Sequence, residues 1–180
     1  MALTTTALET RTDRQRNPKP LRLPLCLFGI GLGGFVDGIV LHQILQWHHM
    51  ISDTGEGPMT TVAGLEANTL ADGLFHAFAL LVVLVALYLA LRARRSDATA
   101  VLPSSGVVVG WLLVGWGVFN IVEGGANHHL LTVHHVRDDV ADSLAWDLSF
   151  LAVSVVLLLI GLALVRRGSL SVAHSHDLDQ

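Results

Sequence analysis

Four runs of apolar residues, at about 23–47, 70–91, 106–126 and 144–165, decide most of what this 180-residue chain can become. Each is close to the ~20 residues a helix needs to cross the hydrocarbon of a bilayer. In lipid, only a helix or a closed barrel satisfies its own backbone. Runs such as Leu80-Leu81-Val82-Val83-Leu84-Val85 lack the period-two alternation of a barrel strand. The expectation is therefore an all-α integral membrane protein, a four-helix bundle over residues 21–168. With 52% apolar and 14% charged residues, the composition agrees with a chain whose solvent is lipid.

The basic residues set the expected orientation. Arg11, Arg14, Arg16, Lys19 and Arg22 precede the first run, Arg92, Arg94 and Arg95 follow the second, and Arg166 and Arg167 follow the fourth. By the positive-inside rule these ends are cytoplasmic, in a bacterial inner (cytoplasmic) membrane crossed several times. The connections at about 48–69 and 127–143 hold only Arg137 and face the outside. Residues 1–20 read as a disordered cytoplasmic tail and 169–180 as a second cytoplasmic tail, with His174 and His176 as spectators. The first run carries an acid and a histidine, unlike a cleaved signal peptide. A net charge of −4 gives no basic surface for nucleic acid, and the single Cys26 excludes a disulfide framework or thiolate cluster.

Ten histidines are the unusual count, and eight fall at the outer ends of the spans or in the outer loops: His42, His48, His49, His76, His128, His129, His134 and His135. Asp37, Asp72, Glu123, Asp142 and Asp147 share that half. Ionisable groups at membrane depth cost several kcal/mol (~3) when unpaired, so they mark a site in the bundle interior. The segment Asp37 to His49 aligns without a gap on Glu123 to His135: acid, glycine, histidine, leucine and the His-His pair coincide. A weaker echo pairs Ala71-Asp72-Gly73-Leu74 with Ala141-Asp142-Ser143-Leu144. Two copies of one helical hairpin, each starting inside, should be related by a pseudo-twofold along the membrane normal.

At about 100° per residue, His42 and His49 lie on one stripe, as do His128 and His135, while Asp37 aligns with His48 and Glu123 with His134. Asn68, Asp72 and His76 form an i, i+4, i+8 stripe, and Asn120, Glu123 and Asn127 another. Gly29, Gly33, Gly34 and Gly38, with Gly106 and Gly110, give small-xxx-small packing spacings without chemical role. Imidazole with carboxylate and no thiolate suits copper first, with zinc or iron as alternatives, and haem less well. His42, His76 and His128 are the expected first ligands, at one depth. His48, His49, His134 and His135 at the rim form a second centre or an access path, and His129 completes the metal set. Asp37, Asp72 and Glu123 are the catalytic candidates, as ligands or proton relays. Plainer readings stand beside these: interfacial solvation for the rim histidines, interhelical hydrogen bonds for the acids, a packed bundle histidine for His76, interface belt for Trp47, Trp111, Trp116 and Trp146, and a solvated ion-pair set for Arg137, Asp138 and Asp139.

Gly34-Phe35-Val36-Asp37-Gly38-Ile39-Val40-Leu41-His42-Gln43 and Glu123-Gly124-x-x-Asn127-His128-His129-Leu130-Leu131-x-x-His134-His135-Val136-Arg137 resemble the signatures of a family of small bacterial four-span membrane proteins catalogued as a domain of unknown function. The resemblance implies fold and membrane location, and no activity. Locally, Asp72-x-x-x-His76 is similar to the copper-ligand spacing of copper membrane monooxygenases, and the His-His pairs to the histidines of haem–copper oxidases and di-iron desaturases. Four functions follow as expectations: a redox metalloenzyme with an outward-facing copper or dinuclear site acting on a small or lipid-soluble substrate, a metal transporter or buffer, a zinc hydrolase, and an architectural protein.

Overall fold

The computed structural model describes residues 19–55, 58–96 and 103–178, with the side chains of 19–20 and 169–178 outside that description. The expected N-terminal tail, apart from the backbone of 19–20, and the side chains of His174 and His176 thus lie outside the described residues. Helix α1 (Lys19–Val36) continues as a π-helical segment, Asp37–Ile44. Helix α2 covers Val62–Ser96. Helix α3 (Ser105–Glu123) also continues as a π-helical segment, Gly124–Leu130, and α4 covers Leu144–Leu178. All four are long and apolar enough to cross a membrane.

The bundle is built from the centre outward. Helix α1 lies against α2 and α3, and α3 against α1 and α4; among the described residues no close backbone approach joins α2 to α4. Lipid gives apolar helices no hydrophobic reason to associate, so close backbone packing must do it. The glycines supply that contact reciprocally. A Cβ built on Gly29 would meet Leu112 O at 2.1 Å, and one on Gly115 would meet Cys26 O at 1.9 Å. Both pairs are related by the same 86-residue offset that relates Asp37 to Glu123. Gly31 faces Ala79 and Val83 on α2, as Gly117 faces Ser154 and Leu158 on α4. The outer helices therefore correspond at an offset of 75 residues.

That offset corrects the expected echo in the second half. Asp72 corresponds to Asp147, not to Asp142, which is exposed, and His76 corresponds to Leu151, not to Trp146, the position that the Asp72–Asp142 echo implies. The connection in the second repeat is shorter, so an ungapped match slides off register.

The polarity of the interior is reversed relative to a water-soluble domain. The largest fully buried side chains are His42, His48, His128, His134, Asn68, Asp72, Asp147 and Ser154, while leucines and valines of all four helices are exposed. Lipid accommodates the latter; the former must find partners with one another.

Candidate metal centre

The two π-helical ends place the histidines. Leu45 N–H donates to Val40 O at 2.8 Å and Trp47 N–H to Leu41 O at 3.0 Å; Leu131 to Ala126 at 2.8 Å and Val133 to Asn127 at 3.0 Å repeat both bonds. Widening the last turn and then closing it stops each helix at Ile44 and Leu130, and Gln46 (φ 50°) and Thr132 (φ 47°) reverse the chain in the left-handed region. π-Turns of this kind gather at functional sites, and left-handed non-glycine residues are strained. The straight-helix stripes that joined Asp37 to His48 and Glu123 to His134 do not hold, because the chain folds back before both histidines. His48 and His134, expected at the rim, come to lie over the centre of the bundle.

Four imidazoles meet there. His48 and His134 are stacked at 4.6 Å between centroids with an 8° interplanar angle. His42 lies 4.5 Å from His48, and His128 lies 5.0 Å from His134. Each repeat thus contributes one helix-borne and one loop-borne ring, with the pseudo-twofold passing between the stacked pair.

Three of the four outer ring nitrogens are hydrogen-bonded to the protein, and the Nδ1 of His128 makes no hydrogen bond among the described residues. His48 Nδ1 donates to Val136 O at 2.9 Å, and His134 Nδ1 donates to Met50 O at 3.1 Å, each histidine reaching into the other repeat. A carbonyl only accepts, so both Nδ1 atoms carry the proton, and in the neutral ring Nε2 presents a lone pair to the centre. His42 Nδ1 lies 2.9 Å from Asp72 Oδ1; His128 Nδ1 stands 3.5 Å from Asp147 Oδ1. Burial, with the charges of His134 and His42, pushes the His48 imidazole down to about 2, which keeps it neutral. Burial also opposes charge on His134, but the hydrogen bond and charge of Glu123 outweigh it and push that ring up.

Inside the ring of histidines, polar atoms are left over. Nε2 of His42, His48 and His128, Oδ1 of Asp37 and Oε2 of Glu123, together with Nδ1 of His128 and Oδ1 of Asn120, are buried and make no hydrogen bond among the described residues. A buried unsatisfied group costs about 1–3 kcal/mol, so these atoms call for a partner that the surrounding side chains do not supply. Donor separations test whether a metal ion fits. Two atoms each about 2.1 Å from one ion stand about 3.0 Å apart at a right angle and about 3.4 Å apart at the tetrahedral angle. Glu123 Oε1 lies 3.0 Å from His134 Nε2 and 3.2 Å from His128 Nε2, and Asp37 Oδ2 lies 3.4 Å from His42 Nε2. Ligand atoms of Asp37, His42 and His48 all fall within 4.8 Å of one another, as do those of His48, His128 and His134. Each repeat offers two imidazoles and one carboxylate.

A second layer holds this set. Asp72 accepts from His42 Nδ1, from His49 Nδ1 at 2.6 Å, from Met50 N–H at 2.9 Å and from Gln43 Nε2 at 3.0 Å. Asp147 accepts from His135 Nδ1 at 2.7 Å and from Val136 N–H at 2.9 Å. Fixing imidazoles through carboxylates is how outer-shell groups orient metal ligands. The loops are latched to each other: Asp53 N–H donates to Val133 O and Asp138 N–H to Trp47 O, both at 3.0 Å, and Ser52 Oγ bonds Asp138. Burial raises the Asp138 carboxyl against those bonds. Arg137 pairs with Asp139 at 2.9 Å and lies 5.1 and 4.9 Å from the rings of Trp47 and Trp146.

Of the residues singled out from the sequence, the structure brings together Asp37, His42, His48, Glu123, His128 and His134. Asp72, His49 and His135 stand one layer out. His129 is exposed, and the corresponding position of the first repeat is Gln43. His76 does not join the cluster: its Nδ1 turns back to its own helix, bonding Asp72 O at 2.7 Å. Asp147 carries a role the sequence reading did not assign, and the pairing of α2 with α4 is the signal that finds it.

Residues 25–168 match the profile of a family described as a predicted membrane protein, DUF2243, and the chain belongs to that family. Neither the curated proteins nor the solved structures contain a match to the chain.

Proposed function

We propose that this member of the DUF2243 membrane family is a redox metalloenzyme whose dinuclear centre lies across the two repeats. Asp37, His42 and His48 would hold one transition-metal ion, and Glu123, His128 and His134 the other. The observation that carries the reading is the set of buried Nε2 atoms of His42, His48 and His128 that make no hydrogen bond among the described residues, two of them 3.4 and 3.2 Å from a carboxylate oxygen of Asp37 and of Glu123. Three protein ligands per ion leave open positions, the hallmark of catalytic rather than structural sites.

Copper is the first metal of this proposal, because the donors are imidazole and carboxylate without thiolate; iron suits two imidazoles and one carboxylate equally in type. Such a pair of ions would supply one-electron couples to oxygen or another small oxidant. The chain's own residues do the rest. Asp72 and Asp147 orient the rings, His48 and His134 close the site from above, and the latched loops restrict water. The distribution of Lys and Arg supports an orientation in which this end of the bundle would face outward from a bacterial cytoplasmic membrane.

A transporter needs a polar route across the bilayer. Beyond the cluster, the interior among the described residues is closed by Ala79, Ala86, Val107, Val114 and the glycine contacts, with Ser154 turned onto Phe150 O at 2.6 Å. That weighs against transport.

Metal analysis and EPR of the detergent-purified chain, supplied with copper, iron and zinc in turn, test the proposal. The expected result is two redox-active ions per chain, with loading lost in His48→Ala and His134→Ala. Trace metal only, or loading untouched by both substitutions, overturns it; stoichiometric zinc alone moves the reading to a hydrolase with activated water.

A further inference from the structure

His76 lies inside a span but outside the centre, half-buried rather than exposed like His129, and its surroundings differ from the rest of the molecule in a way packing does not require. In the second repeat its place is taken by Leu151, which lies against Gly124 as His76 lies against Gly38. Leucine therefore fills this seam adequately, and an imidazole there adds polarity, not volume. An ionisable side chain at membrane depth costs free energy unless it meets a partner.

The ring's chemistry is defined by its hydrogen bond. Nδ1 donates to the Asp72 carbonyl, which can only accept, so in the neutral ring Nε2 is a bare acceptor. No hydrogen bond to Nε2 occurs among the described residues. The atom lies against the π-helical segment that continues α1, 2.6 Å from where a Cβ on Gly38 would stand, so the missing side chain of that glycine is what admits the imidazole. The ring is half-buried, with Phe35 at 6.2 Å and Phe75 at 6.0 Å between centroids. Val36 and Ile39, which flank Asp37-Gly38 in sequence, are exposed. Phe75 also stacks on His42 at 5.7 Å, so this seam is one ring away from the metal cluster.

We propose that the seam of α1 and α2 at His76 binds a membrane-soluble hydroxyl donor carried on an aromatic ring, of the phenol or hydroquinone class, entering from the lipid. The hydroxyl donates to His76 Nε2, and the ring packs beside Phe35 and Phe75. An acceptor nitrogen selects hydroxyl against carbonyl, so the site favours a hydroquinone over its quinone. The second repeat, with Leu151, has no equivalent site. Binding here needs no metal ion, so the inference stands or falls apart from the proposed centre.

Equilibrium binding of a decyl-substituted 1,4-hydroquinone to the full chain in nanodiscs, under argon and with and without chelator, tests this. One saturable site per chain is expected. The quinone and the hydroquinone dimethyl ether should bind at least about tenfold more weakly, the worth of one buried hydrogen bond. His76→Leu, the second repeat's own solution, should lose about tenfold, whereas His76→Gln, whose amide oxygen accepts, should recover most of it. Absence of saturable binding, or an ether as tight as the hydroquinone on the unsubstituted protein, overturns the inference without relying on any variant's fold. Equal binding by a folded His76→Leu does the same.

Discussion

Asp72→Asn is the sharpest test of how the candidate centre is held. The carboxylate accepts four donors, His42 and Met50 on Oδ1 and His49 and Gln43 on Oδ2, at 2.6–3.0 Å. Asparagine has the same shape but one accepting oxygen, so whichever way the amide turns, two donors face an NH2 group. A hydrogen bond to a buried charge is worth about 1.5–3 kcal/mol, and those of the more exposed His49 and Gln43 are partly recovered by water, so we expect a net destabilisation of about 2–3 kcal/mol. Loss of the fixed His42 orientation should weaken metal binding about 10–100-fold. The companion Asp147→Asn should cost less metal affinity, because His128 Nδ1 stands 3.5 Å from Asp147 against 2.9 Å for His42 and Asp72. The assay is metal competition against a chelator, with thermal midpoints in the same detergent. An affinity within twofold of the unsubstituted chain for a folded Asp72→Asn, or a larger loss for Asp147→Asn, refutes the reasoning.

Gly115→Ala would put a methyl 1.9 Å from Cys26 O, a backbone atom that cannot step aside, and should destabilise by about 2–3 kcal/mol in thermal unfolding. Gly106→Ala, with nothing within 4 Å, should leave the midpoint unchanged or raise it. His129→Ala, an exposed position, should keep the full metal content by elemental analysis. For the metal-free chain, His48 and His134 give opposite pH limbs. The depressed His48 contributes stability above the unfolded value of about 6.5 that is lost as pH falls, since the unfolded chain then binds the extra proton. The raised His134 contributes stability below that value that is lost as pH rises through its folded pKa. Their joint contribution should peak near pH ~6.5. Midpoints across pH 5–8.5, with His48→Gln flattening the acid limb and His134→Gln the alkaline one, check the signs.

The four spans could be read from run length and hydropathy because lipid leaves so few backbone solutions, and the inner repeat because Asp37 to His49 and Glu123 to His135 need no gap. The outer pair could not: a shorter second connection shifts the offset, and a four-residue echo at Asp142 outweighed the true counterpart Asp147. The positions of His48 and His134 were also hidden. Straight-helix angles assume one turn every 3.6 residues, whereas the π-turns and the left-handed Gln46 and Thr132 carry the chain back over the bundle. No glycine marks either reversal. His76 shows the converse error: sharing a stripe with Asp72 places a residue on a face, but a hydrogen bond to its own helix decided where the ring points.

His48 and His134 each anchor on a carbonyl belonging to the opposite hairpin, so neither half of the chain can finish its own binding pocket. Such reciprocity is what a single ancestral hairpin would have made by self-association, an isologous homodimer later fused by gene duplication. Fusion frees the two halves to diverge while their stoichiometry stays locked. Aspartate against glutamate at the heart, and imidazole against leucine at the flank, are where that divergence is written.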